Sequence, residues 1–194
     1  MGDAHIGRSG LDKAFISFEQ SKSKIEYLNY LHKLVSEGGF VLEQPKTYSR
    51  TDLRYSNKIN ESLYFRTNSL VELKPLADMF LDNNSKKVVP SNIAEHLSLR
   101  GLAFWLSDDG MQVQRGGVTL CTDSFSSEEV NLLREALKNN FNLNTSIHKK
   151  RGINNSIYER IYINRSSLNE VKPLLKKYMH ETMLYKINET PDAA

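Results

Sequence analysis

The chain repeats itself once, and that repeat constrains its fold more than any single motif does. Ser69-Leu70-Val71-Glu72-Leu73-Lys74-Pro75-Leu76 recurs 98 residues later as Ser167-Leu168-Asn169-Glu170-Val171-Lys172-Pro173-Leu174, with six of eight positions identical. Each copy follows an alternating strand pattern, Leu63-Tyr64-Phe65-Arg66 in the first and Arg160-Ile161-Tyr162-Ile163 in the second. Further upstream, Phe15 to Ser21 precedes Ile25, Leu28, Leu31 and Val35 at helical spacing. Val118 to Ser124 likewise precedes Val130, Leu133, Leu137 and Phe141. Ser126 ahead of Glu128 and Glu129 reads as a helix start, with an N-cap oxygen and acids in the first turn. Both halves thus run strand, helix, strand pair, helix. Two copies are too few for a solenoid, which needs three or more repeats. They predict two α+β lobes related by a pseudo-two-fold.

Composition bounds the function classes. The 194 residues suffice for one large domain or two small fused ones. With 26 basic against 23 acidic residues, the net charge of +3 permits a polyanionic partner without demanding one. A single cysteine, Cys121, excludes an intrachain disulfide and zinc sites built from several thiolates. It lies in the apolar run Val118-Thr119-Leu120-Cys121, which predicts a strand residue and not a nucleophile. No apolar run reaches the roughly 18 residues that span a bilayer, and no secretory signal opens the sequence. The expectation is a soluble, intracellular protein without a membrane partner. Gly38-Gly39 and Gly116-Gly117 sit where turns are needed, so nothing supports a phosphate-cradling glycine loop. His5, His32, His96 and His180 show no metal-ligand spacing.

The stretch Gly101-Leu102-Ala103-Phe104-Trp105-Leu106-Ser107-Asp108-Asp109-Gly110 carries the chemistry. A helix packed into a core by Leu102, Phe104, Trp105 and Leu106 delivers a fixed carboxylate at its end, which suits a divalent cation. The ten residues alone fit equally a helix C-terminus turning into a hairpin, with Gly110 as a left-handed cap. The stretch resembles the signature helix of the LAGLIDADG homing endonucleases, in the variant with an aromatic residue at the first glycine position and an Asp-Asp-Gly close. The resemblance extends over residues 1 to 187 through dispersed segments in the same order: Phe18-Glu19-Gln20-Ser21, the Lys86-Lys87-Val88-Val89-Pro90 linker, Thr122-Asp123-Ser124-Phe125 and Met183-Leu184-Tyr185-Lys186. It implies two αββαββα lobes whose antiparallel sheets form a saddle over duplex DNA. The lobes are expected at residues 1–90 and 91–187, followed by a tail at 188–194. The first lobe departs from the pattern. Met1-Gly2-Asp3-Ala4 matches only the end of a signature motif, so the first helix of that lobe is missing and Ala4 stands where a glycine is usual. A partner protein or a second copy could fill that place.

The resemblance implies roles residue by residue. Asp3 and Asp109 are the expected metal-binding carboxylates, with Mg2+ as cofactor, hydrolysing phosphodiesters through activated water and charge neutralisation at phosphorus. Gln20 and Asp123 match a strand-end polar residue that organises water beside the metal; helix capping or surface solvation explains both equally well. Arg66 aligns near a basic residue that stabilises the transition state, with Asn164 as its counterpart. Readout of double-stranded DNA is expected from the sheets. The candidates are Lys46, Tyr48, Arg50, Arg54 and Lys58 in the first half, and His148, Lys149, Lys150, Arg151 and Arg160 in the second. The implied activity is a monomeric, pseudo-dimeric, site-specific endonuclease serving intron homing. The missing helix points to the alternative, a non-catalytic RNA-binding protein of the same fold such as a group I intron maturase or a component of an organellar ribosome. Abundant Asn and Lys fit an AT-rich organellar genome, mitochondrial or chloroplast.

Overall fold

The computed structural model describes residues 2–52, 58–114, 116–152 and 155–190. The chain forms two compact units, residues 3–86 and residue 87 onward, with Gly2 packing in the second.

The first unit opens on a hairpin of β1 (His5–Ser9) and β2 (Lys13–Ser21), followed by α1 (Ile25–Glu37), β3 (Lys46–Asp52), β4 (Lys58–Arg66) and α2 (Lys74–Phe80). The four strands make one antiparallel sheet in the order β1-β2-β4-β3. Strand alternation divides the side chains between two faces. Ile6, Ala14, Leu63 and Phe65 are buried beneath the helices, where Leu73, Ala77 and Leu81 join Ile6 and Ala14 in one cluster. The register pairs Ser17 with Arg66, and Lys46, Tyr48 and Arg50 with Tyr64, Ser62 and Asn60. These residues, with Phe15 and Glu19, therefore share the opposite, open face. Among the described residues no helix precedes β1.

In the second unit α3 (Ile93–His96) leads into α4 (Leu99–Asp109), β5 (Gly110–Gln112), β6 (Val118–Leu120), α5 (Ser127–Phe141), β7 (Thr145–Arg151), β8 (Ile157–Ile163) and α6 (Arg165–Leu175), with a closing 3-10 segment at Glu181–Ile187. The sheet order, β5-β6-β8-β7, repeats that of the first unit. Ser98 caps α4 by accepting the Gly101 N–H. Leu102, Trp105 and Leu106 are at most 2% exposed. Each such side chain contributes about 1.5–3 kcal/mol by leaving water, which fixes α4 and with it the position of its last residue. Ser126 and Glu129 form a reciprocal capping box at the start of α5. The second oxygen of Glu129 accepts the Val89 N–H at 2.8 Å, fastening the linker to that helix end. The expected tail is partly structured: Asn188 donates to Gly117 O, and Glu189 pairs with Lys172 at 3.2 Å. No helix among the described residues is long and apolar enough to cross a membrane.

Candidate metal-binding carboxylates and nucleic-acid faces

Asp109 is the final residue of α4, and the chain turns into β5 without an intervening loop. Gly110 makes that turn, but not as a left-handed cap, because its φ is −67°. Its N–H bonds to Leu106 O, and a Cβ there would collide with that same carbonyl. Glycine is required by close approach, not by backbone handedness. The Asp109 Oδ2 accepts the Gly2 N–H at 3.2 Å, and Asp109 O accepts the Cys121 N–H at 3.2 Å. Lys186, on the closing 3-10 segment, donates Nζ to Gly110 O at 2.7 Å and to Asp108 O at 3.4 Å. It therefore ties the carbonyls on both sides of Asp109. No local pattern in the sequence signals this role for Lys186, because its partner carbonyls lie 76 and 78 residues away.

In the first unit Asp3 lies exposed just before β1. Gln20, 5% exposed near the end of β2, donates Nε2 to Asp3 Oδ2 at 2.9 Å. Its observed contact is thus with a carboxylate. Asp123 behaves differently. Arg160 Nε and Nη2 donate to its two oxygens at 2.6 and 2.5 Å. That hydrogen bonding, outweighing partial burial, holds the Asp123 carboxyl below the usual aspartate range. Gln20 and Asp123, expected as equivalents, have different partners.

Arg160, expected among the DNA contacts, has its guanidinium engaged within the protein. Its side chain is 11% exposed, with the guanidinium spread across Asp123 and Nη1 against the Met111 sulfur at 3.6 Å. The pleat also divides the basic run of β7. His148 and Lys150 pair with Arg160 and Tyr158 on the face of Tyr162, whereas Lys149 and Arg151 pair with Glu159 and Ile157 on the other. His148 lies flat on Tyr162, with centroids 4.8 Å apart. Burial pushes the half-buried Cys121 thiol up, away from thiolate chemistry.

On the first unit's open face Arg66 stacks its guanidinium 4.3 Å from the centre of the Phe15 ring. That ring lies over Gly7, its cross-strand partner, where a Cβ would meet Phe15 Cζ at 2.5 Å. Glycine opposite phenylalanine lets the ring lie flat and support the arginine. Lys46 is exposed and paired with Glu43. Tyr48 and Arg50 lie beside each other on β3, and Arg50 bonds to Glu19. Glu19 stands inside a segment the sequence singled out, but its facing is legible only from the register. Arg54 lies outside the described residues, as does the side chain of Lys58.

Among the described residues no group of three or more His, Cys, Asp or Glu gathers into a ready-made metal cage. Each candidate carboxylate, Asp3 in the first unit and Asp109 in the second, has the hard oxygen donors that suit a divalent cation whose shell is completed by water and phosphate oxygens.

Residues 1–171 match the model of the LAGLIDADG DNA endonuclease family. The cytochrome b mRNA maturase bI2 of Saccharomyces cerevisiae is 28% identical over 193 residues, covering 96% of this chain and 45% of that protein. The DNA endonuclease I-ChuI of Chlamydomonas applanata is 30% identical over 142 residues, covering 69% of this chain and 65% of its own length. Among solved structures, the homing endonuclease I-WcaI bound to its DNA recognition sequence has a TM-score of 0.82 at 24% identity, covering 98% of this chain and 82% of that one. The chain therefore spans less than half of the yeast maturase and most of the solved endonuclease.

Proposed function

The chain belongs to the LAGLIDADG DNA endonuclease family, and from that premise we propose that it is a monomeric, site-specific, Mg2+-dependent endonuclease that cuts duplex DNA in intron homing. The observation that carries this reading is Asp109 itself: an acid at the end of a helix with a buried apolar face, followed immediately by the first strand of the second sheet. Asp3 in the first unit and Asp109 in the second each offer a carboxylate to a divalent cation. When bound, the metal supplies Lewis acidity and lowers the pKa of attacking water. The residues of the chain do the rest. Gln20 holds Asp3 in place, Lys186 steadies the backbone around Asp109, and Arg66 offers a cation to the developing charge on phosphate. Lys46, Tyr48 and Arg50 in the first unit, and His148 and Lys150 in the second, meet the DNA. The Asn- and Lys-rich composition supports an organellar genome, mitochondrial or chloroplast, as the source.

The test is selection of a cleavable duplex from a randomised library with Mg2+, followed by Asp109→Asn. We expect cleavage by the wild type, and a variant that binds the same site but cuts at least about a hundredfold more slowly, since several kcal/mol of transition-state stabilisation depend on the metal. Binding lost together with cleavage would refute the assigned role.

One observation favours a second reading, retention of the fold for RNA binding: the yeast relative spanning 96% of the chain is named an mRNA maturase. Tight binding to a structured intron RNA, with no duplex cleaved across the library, would establish that reading over the first.

A further inference from the structure

On the open face of the first unit a glutamate fastens an arginine. Arg50 Nη2 donates to Glu19 Oε2 at 2.9 Å, reaching from β3 across β4 to β2. The other Glu19 oxygen accepts Ser62 Oγ at 2.6 Å. The guanidinium carbon lies 5.0 Å from the centre of the Tyr48 ring, so the group is held by charge on one side and by an aromatic face on the other. The pair remains accessible, with side chains 61% exposed for Arg50 and 39% for Glu19. The pair in the second unit does not, at 11% for Arg160 and 33% for Asp123.

We infer that Arg50, aimed by Glu19 and Tyr48, reads a guanine in the DNA half bound by the first unit, with Glu19 as its positioning residue. This rests on the duplex-binding reading above. A guanidinium has five N–H donors, and among the described contacts Glu19 takes one, leaving the end-on Nη1 and Nη2 edge to meet guanine O6 and N7. Phosphate is the poorer partner. The ion pair carries no net charge, and a phosphate oxygen approaching Arg50 also approaches the Glu19 carboxylate. Guanine O6 and N7 are neutral acceptors and suffer little from that neighbour. Cytosine readout by Glu19 itself is disfavoured because both its oxygens already accept protein donors. Fixing the long arginine side chain before DNA arrives removes an ordering cost from binding.

The test uses the full chain in metal-free buffer, selecting bound duplexes from a randomised library for the wild type, Arg50→Ala, Arg50→Lys and Glu19→Gln. The wild type should enrich guanine at one position of one half-site. Arg50→Ala should lose that preference by roughly tenfold to a hundredfold and leave the other positions intact. Arg50→Lys should lose it too while keeping the salt dependence, because it retains the charge without the fork. Glu19→Gln should relax the same position without weakening total affinity, since a negative charge leaves the DNA-facing surface; a merely structural Glu19 would instead weaken binding to every sequence. The inference is overturned if Arg50→Ala lowers affinity evenly for all sequences and reduces the salt slope by about one, the signature of a phosphate contact. A wild type that enriches no duplex sequence overturns the DNA-binding reading itself, and does so before any variant is compared.

Discussion

Asp123 and Arg160 show how a residue's chemistry follows from its nearest partner. Both are legible in sequence as polar positions on or beside strands, but not as each other's partners. Paired through two hydrogen bonds, they fasten the segment after β6 to β8. The Asp123 carboxyl titrates below its ordinary value, chiefly because Arg160 donates to it, while Arg160 stays protonated throughout the accessible range. A depressed acid stabilises the fold fully above the unfolded value of about 3.9, and that contribution disappears as pH falls through the folded value. We expect Asp123→Asn to unfold with a shallower pH dependence than the wild type below about pH 4, checked by chemical denaturation across that range. An unchanged acid limb would show that the pair adds nothing to stability.

At the scale of elements, the repeated octapeptide is the clearest case of what sequence does and does not specify. In the second unit Ser167 to Leu174 lies wholly inside α6, begun by the Leu168 N–H bonding to Asn164 O. In the first unit the matching residues split into a 3-10 turn at Val71–Leu73 and α2 from Lys74. The cause is Ala14. Leu70 exchanges both main-chain hydrogen bonds with Ala14, at 3.0 and 2.8 Å, which keeps the chain extended past the point where α6 has already begun. The order of elements was legible because apolar periodicity survives in both halves. Their exact onsets were not, because long-range pairing competes with local propensity. Candidate site residues divide the same way: Asp109 is a candidate from its motif, whereas the contacts of Glu19 and Lys186 are legible only from the register and the closing segment. The Ser126 N-cap of α5 is legible in sequence, its reciprocal bond with Glu129 only in the structure, and the cap carries its own expectation. Ser126→Ala should cost about 1 kcal/mol, seen as a lower midpoint in urea with an unchanged slope.

For the molecule as a whole, two units with the same strand order each carry one acid at the base of their first hairpin and a polar open face. Net charge is only +3, so attraction to a polyanion must come from the local arrangement of side chains and not from a bulk field. Under the proposed function, reading and cutting have separate requirements. Chelating divalent metal with EDTA should abolish cleavage while leaving target binding in place, and added Mg2+ should restore cleavage, measured in parallel by gel shift and strand scission. Joint loss of both would mean the metal organises the binding surface as well.

Lys186 reaches back from the chain's closing turn to the carbonyls flanking the acid on α4. If the proposed cleavage is this chain's activity, a frameshift or stop codon that spared every strand would therefore still remove it. Without that ammonium anchor the protein would be a blunt occupant of its target, recognisable in the milder Lys186→Met as footprinting that persists after scission has slowed.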